Sequence, residues 1–433
     1  MADRRLSEDA QVILLLCSRF GPSDRSEVLT LGEYNRVARW LRSARMRPAD
    51  ILDGSSVAAL GQGAGIAEER LRGLLGRGMQ LALAVDRWSQ AGIWVVCRSD
   101  GNYPARCRAQ LSEQAPPVLY GAGAQALLAG GGLAVVGSRG ADEECLAFAA
   151  EVGARCAHGR IPVVSGGARG VDAAVMSGAL AAGGTVIGVV ADTVLERSLS
   201  RDARAGLAEG RLLLVSPYYP EAGFNTGNAM ARNKLIYAFA DYGLVVCSGH
   251  NKGGTWAGAA EELKRKLVRA VFVRVEGAAS EGNRALIGEG ALAFPSLQGE
   301  PVTLEWLGQA SAAGRQPPSA IELSLLPGIE TPQMSAGEVR EPSPEPAAEP
   351  LRTDEAEPTT PPSIYEVALQ ALTAVLDTPK SIDDLLACLA HEGVTRSQMQ
   401  VWLKRAVAEG AIRRLTRPVR YARKEPENAD AGE

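Results

Sequence analysis

At 433 residues, 46% of them apolar, the chain is long enough for two or three domains with sizeable cores. Its seven cysteines form no CxxC pair and its three histidines are scattered, which excludes a disulfide or zinc framework and points to a reducing cytosol. The net charge of −4 does not exclude a nucleic-acid partner, because residues 319–362 hold nine acids against Arg340 and Arg352 and leave the rest of the chain net positive.

The opening MADRRLSEDAQVILLLCSRF has too short an apolar run for a signal peptide or a membrane span, so a cytoplasmic protein without a membrane partner is expected. Residues 1–118 read as a helical N-terminal domain: QVILLLCSRF, YNRVARWLRSA and EERLRGLLGRGMQLALAVDRWSQA carry apolar residues at helical spacing. GQGAG (61–65) reads as an interhelical loop, with a helix-hairpin-helix DNA contact as the alternative. AGIWVVCRSDGNYP then reads as a strand ending in a turn.

Residues 119–308 form an α/β core. LAVVGS (133–138), IPVVSG (161–166), TVIGVV (185–190), RLLLVS (211–216), LVVCSG (244–249) and VRAVFVRV (268–275) are apolar and rich in β-branched residues. Helical stretches such as EECLAFAAEVGARCA and GTWAGAAEELKRK lie between them. Continuous apolar strands alternating with helices predict a Rossmann-like parallel sheet covered on both faces.

Three of these strands end in glycine turns that carry a cation. The first turn holds Gly137, Ser138, Arg139 and Gly140; the second holds Ser165, Gly166, Gly167, Arg169 and Gly170; the third holds Lys252, Gly253, Gly254 and Thr255. In a parallel sheet all three face the edge where ligands bind. Glycine leaves the backbone bare, and helix N-termini offer free N–H groups to an anion. The pattern points to a phosphate-bearing ligand; none of the turns is GxGxxG or a Walker A loop, so neither a dinucleotide nor ATP is the expected cofactor, and no cofactor or metal is expected at all. Arg232, Asn233 and Lys234, before the fifth strand, extend the basic trough. Phe224 and Trp256, flanked by polar and glycine-rich segments, are the foremost candidates for stacking on bases.

Residues 309–362, with nine prolines between 319 and 362, read as a disordered acidic linker. Residues 363–424 read as three helices and a hairpin, the plan of a winged helix-turn-helix. From 395 to 424 nine cations face one acid, Glu409; Arg396, Lys404, Arg405, Arg413, Arg414, Arg417 and Arg420 are the candidate contacts to duplex DNA, with protein docking as the alternative.

SDGNYP (99–104), PPVLYGAG (116–123), GSR (137–139), SGGARGVDAA (165–174), ARNKLIYAFAD (231–241), KGGTWAGA (252–259) and EGNRALIGEGAL (281–292) together resemble the DprA/Smf family of DNA-processing proteins, in order and spacing. The resemblance implies a Rossmann-like core that binds and protects single-stranded DNA, loads a RecA-type recombinase during uptake of transforming DNA, dimerises through the core, and is not an enzyme. Three departures mark a divergent member: Met176 stands where the family usually has a histidine, Ser248 and Gly249 follow the fifth strand where it often has an acid, and NTGNAMARNK (225–234) is a longer connection. Such a branch fits a regulator or antitoxin in a defence system, sensing nucleic acid or nucleotide, as the second reading. The turns also resemble those of phosphoribohydrolases, but the position of their motif glutamate is held by Gly258, which removes the general acid/base.

Overall fold

The protein is described here as a computed structural model covering residues 6–277 and 280–315, and parts of 369–423. Five helices open the chain: α1 (Glu8–Cys17), α2 (Leu31–Ser43), α3 (Val57–Ala64), α4 (Glu68–Leu75) and α5 (Gly78–Gln90). Their starts follow from capping chemistry. The Ser7 hydroxyl accepts the Ala10 N–H, and Thr30 and Glu33 form a reciprocal capping box at α2. Val12, Leu16, Val37, Leu41, Leu60 and Leu71 close a local core among α1–α4. The opposite face of α1, with Trp88 of α5, packs on the central sheet.

GQGAG is not a loop. Gly61 to Ala64 complete α3, and Gly65, at φ +64°, ends it in the left-handed conformation. A Cβ on Gly63 would lie 2.1 Å from the Trp40 ring, so glycine here lets α2 and α3 touch.

The sheet has nine strands: β1 (Ile93–Cys97), β2 (Val118–Ala122), β3 (Leu133–Val136), β4 (Val163–Ser165), β5 (Val186–Val189), β6 (Leu212–Ser216), β7 (Tyr242–Val245), β8 (Val271–Val273) and β9 (Leu292–Ala293). Their order is β1-β2-β6-β5-β4-β3-β7-β8-β9. Neighbours from β6 to β9 pair in parallel, while β1 and β2 pair antiparallel at one edge. The sheet thus starts at residue 93, earlier than the 118/119 boundary read from the sequence, because β1 completes the edge beside β2.

Successive residues alternate between the faces, as the pleat requires. Leu133, Val163 and Val186 enter one apolar cluster, and Ala134, Val164 and Ile187 the other. The first face is covered by α7 (Glu143–His158) and α8 (Val171–Ala181) as well as α1 and α5. The second is covered by α6 (Ala105–Leu111), α11 (Thr226–Ala238), α12 (Gly253–Arg265) and α13 (Glu281–Gly288). Two short helices, α9 (Val194–Leu199) and α10 (Arg201–Ala208), link β5 to β6, and α14 (Leu304–Arg315) follows β9.

After β3 the chain builds β4, β5 and β6 to one side, then returns to lay β7 against β3 on the other. The connections leaving β3 and β7 therefore diverge, and a crevice opens at their carboxyl ends.

Among the described C-terminal residues, α15 (Ile382–Cys388) and a hairpin of β10 (Ile412–Thr416) and β11 (Val419–Arg423) are present. Leu372, Leu385, Met399, Leu403 and Ile412 form an apolar cluster that also takes in Leu83 and Met79 of α5. The linker read at 309–362 lies outside the described residues from 316 onward, where α14 ends.

Candidate nucleic-acid interface

The crevice at the switch point is a cleft of about 640 Å³ lined by the turns after β3 and β7, the start of α12 and one side of α11. The two turns are tied together: the Thr255 hydroxyl donates to the Gly137 carbonyl at 2.9 Å, and the Ser138 N–H donates to the Cys247 carbonyl at 3.1 Å. Asn233 bridges from α11 to the Gly254 carbonyl at 3.1 Å. The SGGARG turn forms a neighbouring hollow of about 260 Å³, lined by Arg139, Arg169, Arg197, Arg232, Asp192 and Phe224 among others.

The glycines in these turns do different jobs. A Cβ on Gly137 would fall 2.5 Å from Val171 Cγ2, and one on Gly170, at φ +83°, 2.5 Å from the Ser138 carbonyl. These glycines let the β3 turn and the start of α8 press on each other. A Cβ on Gly166 would strike the Arg232 guanidinium at 2.3 Å. By contrast Gly140 and Gly253 face open space, and Gly254 meets nothing closer than 3.6 Å. Gly253 still needs to be glycine, since its φ is +79°. The bare backbone expected at every turn is thus open to a ligand at 140 and at 253–254, while elsewhere the protein itself uses the space.

The expected cations separate in the same way. Arg139, Arg169 and Lys252 are exposed on the rim. The Arg139 guanidinium sits 5.0 Å from the centre of the Phe224 ring, which is 54% exposed. Arg232 instead turns inward and is 4% exposed on the cleft floor. Its Nη1 donates to the Val189 carbonyl, and its Nε has no partner. Burial pulls the guanidinium down from its ordinary value and Asp172 opposes that shift. Lys234 is half-buried on the other flank of α11, with Arg265, Glu261 and Cys107 as its charged and polar surroundings, and does not line the cleft. Trp256 is 7% exposed in the core cluster, edge-on to His250 at 5.1 Å, so Phe224 is the stacking candidate with an open face.

Asp172 is the one carboxylate lining the cleft among the described residues. Burial raises it from 3.8 to about 6, against the pull of Arg232 and of the Ala168 and Gly166 N–H groups. It holds the SGGARG turn by accepting the Ala168 N–H at 3.3 Å. Glu262, a turn beyond Gly258, is buried at the far end of α12 and accepts the Val268 N–H, and burial pushes its carboxyl up to about 7.

Two contributors carry no sequence signal as a site. Arg197 grips Asp192 at 2.5 Å and donates to the Gly167 carbonyl at 2.8 Å, fixing the second turn from α9. Asn283, 1% exposed, donates to the carbonyls of Val245, Val246 and Arg274, and its side-chain oxygen accepts from Ser248. The EGN motif therefore closes the sheet just beneath the third turn, and Ser248 is a structural donor in the place of the family's acid. Of the C-terminal candidates, Arg413 is exposed on β10, Arg414 lies on β10 and Arg420 on β11, while Arg396, Lys404, Arg405 and Arg417 lie outside the described residues.

Residues 94–302 match the family model of DNA recombination-mediator protein A. The core of this chain belongs to the DprA family. The same DNA processing protein DprA from two strains of Mycobacterium tuberculosis is 30% identical over 201 residues, which are 46% of this chain and 52% of that protein. The chain thus spans about half the length of the curated relatives it matches. DNA processing protein A from Streptococcus pneumoniae shares the fold at a TM-score of 0.53 and 19% identity, over 71% of this chain and 98% of that one. A second solved structure, of Helicobacter pylori DNA processing protein A and its single-stranded DNA binding mode, aligns at a TM-score of 0.41 and 22% identity, over 48% and 93% of the two chains. No helix among the described residues is long and apolar enough to cross a membrane.

Proposed function

We propose that the cleft binds single-stranded DNA through its phosphates, protects it, and hands it to a RecA-type recombinase, with two copies of the core forming the working dimer in the cytoplasm. One observation carries this reading: Arg139, Arg169 and Lys252 are exposed around openings where the backbone at 140 and 253–254 is free of side chains. Phosphates held this way contribute affinity that falls steeply with salt and reads little sequence, and Phe224 adds a sequence-tolerant stack. The role is binding and not turnover, since the lone cleft carboxylate is committed to the SGGARG turn. The basic C-terminal hairpin adds contact to duplex DNA.

The test is binding of labelled oligothymidine to the wild type and to Arg139→Glu/Lys252→Glu at two salt concentrations. Loss of two phosphate contacts should lower the salt slope by about 1.4. Unchanged binding and slope in the double variant would refute the assignment. A second reading, a nucleotide sensor regulating a defence system, is favoured by two buried polar atoms without partners on residues lining the cleft, Arg232 Nε and the Tyr237 hydroxyl. Mononucleotide that competes with oligothymidine at equal concentration would favour the sensor.

A further inference from the structure

We propose that a single strand leaving the cleft runs over the first turn of α11 into a second nucleotide subsite at the junction with the N-terminal helices, where Tyr219 and Arg19 receive it. The inference rests on the single-strand reading above. A hollow of about 310 Å³ lies there, lined by Ser18, Arg19, Val118, Tyr218, Tyr219 and Asn228 among others. The first turn of α11 is the wall between the two openings: Thr226, Ala229 and Met230 line the cleft, and Asn228 lines the second hollow.

The crest of that wall is apolar and uncovered. Phe224 is 54% and Met230 49% exposed, two of the six large apolar side chains exposed among the described residues. A base crossing from one opening to the other meets a ring and a thioether, which suit any base face. The wall is braced from behind, where the Tyr218 hydroxyl donates to the Asn228 carbonyl at 2.9 Å and Arg232 is close enough to oppose the burial-driven rise of that phenol. Beyond the crest, Tyr219 is half-buried and Arg19 exposed. Arg19 makes no ion pair among the described residues, and the acids on the flanking segments are spoken for: Glu221 holds Arg87 at 2.7 Å and the Trp88 Nε1 at 2.9 Å, and Asp24 holds Arg77 at 3.1 Å. A positive charge beside an aromatic ring, continuous with a cationic cleft, is the chemistry of a nucleotide phosphate and its base, of any sequence. This assigns the N-terminal helices a direct part in lengthening the footprint on the strand.

Length dependence tests it. Arg19→Glu and Tyr219→Ala are compared with the full-length wild type on oligothymidines of roughly six and roughly twenty nucleotides, a range bracketing the footprint of one small binding fold. Both variants should bind the short strand as the wild type does, which also reports an intact cleft. Both should bind the long strand at least about fivefold more weakly, with the salt slope of Arg19→Glu reduced by about 1.4 when one contact is lost and one repulsion added. Iodouracil at either end of the long strand should photo-crosslink to Tyr218 or Tyr219 from one end. Unchanged long-strand binding, an equal loss on both lengths, or crosslinks confined to residues 137–140 and 252–256 would overturn the subsite. Loss of a protein partner with long-strand binding unchanged would reassign the hollow to protein and overturn it equally. If Arg139→Glu/Lys252→Glu keeps both lengths bound, it is the cleft reading that fails.

Discussion

Two glycines on the same rim should respond in opposite ways to the same substitution. Gly137→Ala adds a methyl 2.5–2.8 Å from three atoms of Val171, a side chain that is fully buried and branched at Cβ and so cannot swing clear. Forcing one methyl into such a contact costs about 1–3 kcal/mol, which for a core of this size lowers the melting temperature by roughly 2–12 °C. Gly254→Ala adds the same methyl where the nearest atom is 3.6 Å away, in the first turn of α12. There the helix tolerates or gains from alanine by up to about 1 kcal/mol. The methyl would instead stand where a phosphate is to meet the backbone, and loss of one charge-assisted contact of about 1.5–3 kcal/mol weakens binding about ten- to hundredfold. Differential scanning fluorimetry and oligothymidine anisotropy on the same preparations read both effects. The reasoning is refuted if Gly137→Ala melts like the wild type, or if Gly254→Ala keeps full affinity.

Three further outcomes are expected. Asp172, raised from 3.8 to about 6 by burial, is charged at pH 7.5 and protonated at pH 5. Proton uptake removes a negative charge beside Arg232 and Arg139, so single-strand affinity rises as pH falls through 6; because the folded state binds the proton more tightly than the unfolded chain, unfolding free energy also rises as pH falls from about 6 toward 4, and Asp172→Asn should abolish both dependences in anisotropy and denaturation titrations. Asn283→Ala strips the donor from three buried carbonyls, at about 1–3 kcal/mol each where water cannot enter, and should destabilise the core severely, read as a large drop in denaturant midpoint. Leu83→Asp puts a charge into the apolar cluster shared by α5 and the C-terminal unit, so chains 1–315 and 363–433 expressed separately should co-elute as wild type and separate as the variant in size-exclusion chromatography.

Much of the architecture was legible along the chain. The six apolar runs became β3 to β8 within a few residues, because a strand buried on both faces must be apolar throughout. The family was legible for the same reason: its motifs are strand-to-helix turns whose glycines are local requirements. Less visible were β1 and β2, whose membership of the sheet depends on antiparallel pairing with β6, far along the chain.

What the order of residues determined by itself was which segments make strands, where the turns fall, and that three of those turns carry a cation. Only the tertiary structure decided which cations face the ligand. Arg232 and Lys234 are two residues apart on one helix, yet one lies under the cleft against the Val189 carbonyl and the other beside α6 and α12. It also decided that Gly137 serves Val171 while Gly254 stands open, and that Trp256 is core while Phe224 is surface. Turn and strand formation are driven by a residue's chain neighbours, whereas the direction and burial of a side chain are set by whatever distant element packs against it, and that element is unknown until the fold has closed.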